Sequence, residues 1–216
     1  MKKASLQPVA TVAEIEKFDT LRYLPGFPRS YRFDAKKGIL RFKNEIDLTA
    51  KGQSFSFIPI AFRIFSDEIL NFPLRKWAEM LFINKAGQVC AVLFHGYSVD
   101  RLQSMLGELY YEEVSLCELV LTVTPTPRSN EHGGYYVASF SYELLKPEEL
   151  KTLASIVDAL PPLYREETLT GDAVNYAWRN YHLPVRPDLD GPSTDCSELP
   201  AGEVSEEEAV APEESV

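Results

Sequence analysis

Apolar and polar positions alternate with a period of two through the middle of this chain. Cys117, Leu119, Leu121 and Val123 fall on one face of residues 117–124, and Glu118, Val120, Thr122 and Thr124 on the other. Tyr136, Ala138, Phe140, Tyr142 and Leu144 alternate in the same way with Val137, Ser139, Ser141 and Glu143. Such alternation marks half-buried strands. Residues 76–84 and 88–95 predict two more strands, joined by the turn Asn84-Lys85-Ala86-Gly87. Upstream, 31–33 and 39–42 read as short strands flanking Asp34-Ala35-Lys36-Lys37-Gly38, a hairpin turn. Residues 54–65 read as one long strand whose phase slips between Phe57 and Ile58. One extra residue in a bulge accounts for the slip, and Pro59, which has no N–H to donate, belongs at a bulge or edge.

Elsewhere the period is helical. Leu102, Met105, Leu106 and Leu109 recur at i, i+3, i+4 and i+7, predicting a helix over 99–110 with Ser98 as N-cap. Pro147 opens a second helix carrying Leu150, Leu153, Ile156, Val157 and Leu160, stopped by Pro161-Pro162. Val174, Ala177, Trp178 and Tyr181 suggest a third over 170–181. A short helix near 12–18 is broken by Pro25-Gly26-Phe27-Pro28.

From 54 to 145 the order is strand, strand, strand, helix, strand, strand. That is the order of the OB-fold, a small five-stranded barrel with a helix between its third and fourth strands. The competing arrangement is an open α+β sheet with a helix on one face. The expected class is therefore mainly β with helices, OB-like. The expected divisions are an N-terminal extension (1–28), the barrel domain (29–145), a helical extension (146–187) and a disordered acidic tail (188–216).

Charge sharpens the last boundary. The net charge of −10 resides entirely in 188–216, which holds ten carboxylates, no Lys or Arg and no aromatic residue; the rest carries 22 acidic and 22 basic residues. Such a segment cannot bury enough surface to offset the entropy of ordering. Glu206, Glu207, Glu208, Glu213 and Glu214 are its candidate partner-binding residues. No stretch reaches the roughly 20 apolar residues of a membrane span, and the Met1-Lys2-Lys3 start has no apolar core behind it, so no membrane association and a cytoplasmic location are expected. Cys90, Cys117 and Cys196 lack metal-ligand spacing. The histidines His95, His132 and His182 have no paired carboxylate or cysteine at useful spacing, and no Gly-rich phosphate loop or nucleophile elbow is present. Neither a cofactor nor a metal nor an enzymatic activity is expected.

Binding a single strand requires cations for phosphates and flat rings on which bases stack. Between 22 and 43 the basic residues Arg22, Arg29, Arg32, Lys36, Lys37, Arg41 and Lys43 face one acid, Asp34, with Tyr23, Phe27, Tyr31, Phe33 and Phe42 interleaved. Arg29, Tyr31, Arg32, Lys36, Lys37, Arg41 and Lys43 are therefore candidate nucleic-acid contacts, extended by Arg63, with Arg75, Lys76 and Trp77 as a further extension in which Trp77 reads as core rather than platform. The connector 125–134, expected to be an exposed loop, adds Arg128 and, beside it, Tyr135. An edge hairpin with protective lysines and core-facing aromatics would show the same composition.

Element order, aromatic strands and tail charge together make the chain resemble the OB-fold single-stranded-DNA-binding proteins of bacteria, phages and mobile elements. These pair one OB domain with a disordered acidic C-terminal tail. The resemblance covers about 30–145 and 188–216. It implies non-catalytic binding of single-stranded DNA (or RNA) in replication or recombination, with the tail autoinhibitory or recruiting replication or recombination proteins; a homo-oligomer is compatible with it. The chain departs from the pattern in ending Glu213-Glu214-Ser215-Val216, where many such tails end in an aromatic residue, and in its helices after Leu145. The rival reading is a protein-protein adaptor with no nucleic-acid binding.

Overall fold

The computed structural model describes residues 10–42, 46–69, 72–131, 133–165, 167–168 and 171–178. Lys43, His132, residues 179–181 and the whole of 188–216, including Glu206, Glu207, Glu208, Glu213 and Glu214, lie outside the described residues. Residues Met1–Pro184 make one compact unit, and it is mainly β. In chain order the elements are α1 (Val12–Ile15), β1 (Arg29–Asp34), β2 (Ile39–Phe42), β3 (Ile46–Asp47), β4 (Phe55–Phe57), β5 (Ala61–Asp67), β6 (Arg75–Ile83), β7 (Val89–His95), α2 (Tyr97–Tyr111), β8 (Leu119–Asn130), β9 (Gly133–Leu144), α3 (Pro147–Asp158) and β10 (Val174–Trp178).

The strands form two sheets. The larger is mixed, in spatial order β10-β5-β6-β7-β1-β2-β3, and the smaller is β4-β8-β9. The meander β5-β6-β7 is antiparallel, whereas β1 lies parallel to β7. Asn84 fastens the β6–β7 turn: its Oδ1 accepts from the N–H groups of Ala86 and Gln88, and its Nδ2 donates to the Tyr31 hydroxyl. The N-terminal segment is bound to the same turn through Arg22 N to Gly87 O (2.7 Å) and Val89 N to Arg22 O (3.1 Å). With Val12 and Ile15 of α1 buried in the core, residues 10–28 are part of the body.

Five expectations are corrected. Residues 54–65 are two strands, in different sheets. Phe55 and Phe57 of β4 pair with Val123 and Leu121, β5 pairs with β6, and Ile58-Pro59-Ile60 carries the chain between them. The phase slip marks this change of sheet, a corner where proline costs no ladder bond. The expected closed five-stranded barrel is replaced by an open arrangement. β7 takes β1 as its neighbour, and β9 is linked to the β1–β2 hairpin by Tyr136 N donating to Ala35 O (2.6 Å). The expected third helix is β10, antiparallel to β5 with Trp178 opposite Phe62. The i, i+3, i+4 spacing of Val174, Ala177 and Trp178 does not by itself distinguish helix from strand in so short a run, and the open side of β5 supplied a ladder. The connector 125–134 is mostly hairpin, with twelve residues in each of β8 and β9, so Arg128 is a strand residue. Ser98 lies inside α2 with Gly96 (φ 60°) as N-cap, and its hydroxyl accepts from the Ala138 N–H of β9 (3.0 Å).

Two apolar clusters follow from strand alternation. One fills the space between the sheets with Tyr31, Phe33, Phe57, Phe62, Met80, Phe82 and Phe94, closed by Leu102 and Leu109 of α2. The other lies on the opposite face of the larger sheet, where α1, α3 and Leu163-Tyr164 cover Ala61, Leu81, Ile83, Val89 and Ala91. That second face is apolar only at one end; its other half carries the candidate site.

Candidate nucleic-acid interface

Alternation puts every second residue of the larger sheet on its outer face, and the registers align six strands into one row. Arg63 of β5 stands opposite Glu79 of β6, Glu79 opposite Leu93 of β7, Leu93 opposite Arg32 of β1, Arg32 opposite Arg41 of β2, and Arg41 opposite Asp47 of β3. The outer arginines are neutralised. Arg63 Nε donates to Glu79 Oε2 at 2.8 Å, and Arg41 reaches Asp34 at 3.1 Å and Asp47 at 2.9 Å. Arg32 differs. It is half-buried, directly opposite Arg41, and its shielded Nε has no hydrogen-bond partner among the described residues.

Next to the row is an aromatic group. Trp77 is fully buried and its indole N–H donates to the Asp67 carbonyl (3.0 Å). Its ring lies 5.1 Å from His95 and 6.0 Å from Phe72, which is 37% exposed. The Arg75 guanidinium stacks over Phe72 at 4.2 Å, and Arg63 over Phe65 at 4.1 Å. Cation-π stacking holds a guanidinium flat while leaving its N–H edges available.

Burial lowers the His95 pKa from its ordinary 6.5, and the charges of Arg75 and Arg32 lower it further, against a smaller opposing effect of Asp34. The folded state therefore holds the neutral imidazole. Below 6.5 the unfolded chain protonates first, so this group's contribution to stability is intact above that pH and declines as pH falls towards the folded value. The imidazole C–H resonances of His95 should titrate with a midpoint below 6.5; a midpoint at or above it would contradict the burial of the ring beside the two arginines.

The remaining sequence candidates lie in three places. Arg29 sits on the interior side of β1, stacked over Phe42 at 4.1 Å and bonded to Gln88. Tyr31 is buried, its hydroxyl holding Asn84, and burial pushes its pKa up to about 12; its ring supports the sheet from inside. Lys36 and Lys37 are exposed on the β1–β2 turn, which rests on the β8–β9 hairpin where exposed Arg128 faces half-buried Tyr135 across the strands. Lys51, which sequence reasoning passed over, joins them, its ammonium 5.8 Å from the Tyr136 ring. Sequence reasoning also passed over Glu79 and Phe72. A lone charge inside an apolar strand, as in Arg63 and Glu79, was the available signal for the row.

Among the described residues no group of three or more His, Cys, Asp or Glu could hold a metal ion, and no helix is long and apolar enough to cross a membrane. No family model, curated protein or solved structure matches this chain.

Proposed function

We propose that this chain binds single-stranded nucleic acid, DNA foremost, without catalysis, along the outer face of β5-β6-β7-β1. The observation that carries this reading is the Arg32–Arg41 pair. Of these two arginines, Arg41 is ion-paired with Asp34 and Asp47, whereas the shielded Arg32 Nε has no acceptor among the described residues; a buried N–H without an acceptor is costly. A phosphate chain laid over the row supplies the acceptor that Arg32 lacks. Phe72 and the stacked Arg75 beside it offer flat surfaces for bases.

The pairing order also supports an OB-like interpretation. The meander β5-β6-β7, the connection through 58–60 to β4-β8-β9, and α2 between the third and fourth strands follow that order, with the β1–β2 hairpin occupying the place between β7 and β9. In OB-folds the face of the second and third strands and the two adjoining loops bind oligonucleotides. Here those are β6 and β7, the loop carrying Phe72, and the hairpin carrying Arg128 and Tyr135. Lys36, Lys37 and Lys51 would extend the path. Carboxylates of 188–216 would compete for the same cations at high effective concentration, each contact being weak and screened by salt; once displaced, they become available to replication or recombination proteins.

Fluorescence anisotropy with labelled single-stranded and duplex oligonucleotides tests this. Single strands should bind more tightly, with log affinity falling linearly in log salt. Replacing Arg32 and Arg75 together by alanine should weaken binding and reduce the slope by about 1.4, at roughly 0.7 per phosphate contact. No retention at low salt, or an unchanged slope in the folded variant, would leave the adaptor reading in its place.

A further inference from the structure

The row ends at β5 in a pocket of about 310 Å3 bounded by Phe27, Arg63, Glu79, Leu163, Tyr164 and Arg165. Its outer wall is a fastened turn: Gly26 N donates to the Tyr23 hydroxyl (3.1 Å), which donates to the Leu163 carbonyl (3.0 Å), and Phe27 N donates to the Leu24 carbonyl (2.8 Å). This ordered turn nevertheless presents the Phe27 ring with 68% of its surface exposed. Within the pocket, Glu79 uses Oε2 for Arg63, and Oε1 has no hydrogen bond among the described residues. The Arg63 guanidinium is held flat between the Phe65 and Tyr164 rings, 4.1 and 5.6 Å away.

An acceptor with full negative charge, a donor fixed beside it and a free aromatic ring at the mouth are the components that read one unstacked base. We infer that, on the single-strand binding reading above, this pocket takes one nucleobase from the bound strand and favours cytosine over thymine. Cytosine offers its amino group to Glu79 Oε1 and its ring nitrogen to Arg63. The N3–H of thymine lies between two carbonyl oxygens, so a carboxylate placed there meets two further acceptors. Phe27 stacks on the base from outside, and Arg165 faces the phosphate that follows.

Affinities of the full chain for labelled oligo-dC and oligo-dT of equal length decide the matter. Oligo-dC should bind about tenfold more tightly. Phe27→Ala, at an exposed position that melting curves should show to be structurally neutral, should weaken oligo-dC binding about tenfold. Glu79→Gln should bring the dC to dT ratio close to one. Equal binding of the two oligonucleotides by the unaltered protein overturns the inference and leaves single-strand binding standing. A cytosine preference that survives both substitutions also overturns it, because the discriminating groups then lie elsewhere. If no oligonucleotide binds, the proposed function falls and this inference falls with it.

Discussion

Trp77→Ala should destabilise the fold by about 3–5 kcal/mol, the usual range for removing a large buried aromatic. Trp77 points to the outer face of the larger sheet, where an indole would ordinarily meet water, yet it is fully buried. Phe65 and His95 flank it as its cross-strand partners, Phe72 covers it, and the Asp67 carbonyl takes its N–H. Alanine leaves a cavity beneath Phe72 and removes the donor to Asp67. At roughly 2–4 °C per kcal/mol for a chain of this size, the melting temperature should drop by about 6–20 °C. Trp77→Phe keeps most of the apolar contact and should lose less than half as much. Single-strand affinity should fall in Trp77→Ala even at temperatures where the variant is folded, since Phe72 and Arg75 lose the surface that fixes them. A loss under about 1 kcal/mol would mean that the indole does not support this face.

The strands of the candidate site could be read from the sequence, whereas its composition could not. Period-two alternation located β8 and β9, and the turns at 34–38 and 84–87 located β1, β2, β6 and β7; β6 and β7 are buried on both faces along much of their length and show no clean alternation. Alternation could not say which face of β1 is outermost: Arg29 and Arg32 are three residues apart and point to opposite sides. Nor could it supply register, and register is what makes Arg63, Glu79, Arg32 and Arg41 neighbours although they are spread over 48 positions, from 32 to 79. Local charge counting between 22 and 43 therefore found Arg32 and Arg41 but missed Asp47, which pairs with Arg41, and Arg63 was named without Glu79, which pairs with it. The sheet change at 58–60 left a true signal, the phase slip, that a bulge explains equally well. The parallel placement of β1 against β7 joins segments some 60 residues apart and is a tertiary choice without a local signature. For β10, five residues with two apolar spacings fit either period, and the unpaired edge of β5 decided the outcome.

Gly38→Ala should cost about 2–5 kcal/mol, combining the left-handed backbone penalty of a non-glycine residue with overpacking. Gly38 ends the β1–β2 turn at φ +65°. Its N–H donates to the Asp34 carbonyl at 2.8 Å and its carbonyl accepts from Gly52 N at 2.9 Å, while Asp34 Oδ1 accepts from the N–H groups of Lys36 and Lys37. The turn is thus bonded on both sides and cannot swing away. A methyl group at Gly38 would stand 2.5–2.9 Å from Cγ, Cδ1 and Cδ2 of Tyr136. Those atoms are at the root of the ring, and Tyr136 N is itself bonded to the Ala35 carbonyl, so the ring can escape only if the β8–β9 hairpin moves. Gly52 provides the control. It also has positive φ, at +73°, but nothing lies within 4 Å of its would-be methyl, so Gly52→Ala should cost only the backbone term, about 1–2 kcal/mol. Adding Tyr136→Ala to Gly38→Ala should recover part of the loss, giving a double variant more stable than the sum of the two single changes. Because the contact joins the turn carrying Lys36 and Lys37 to the hairpin carrying Arg128 and Tyr135, Gly38→Ala should also weaken single-strand binding more than Gly52→Ala does. Equal destabilisation by the two alanines, measured by denaturant unfolding, would mean that the ring does not rest on Gly38 and that the two basic elements are positioned independently.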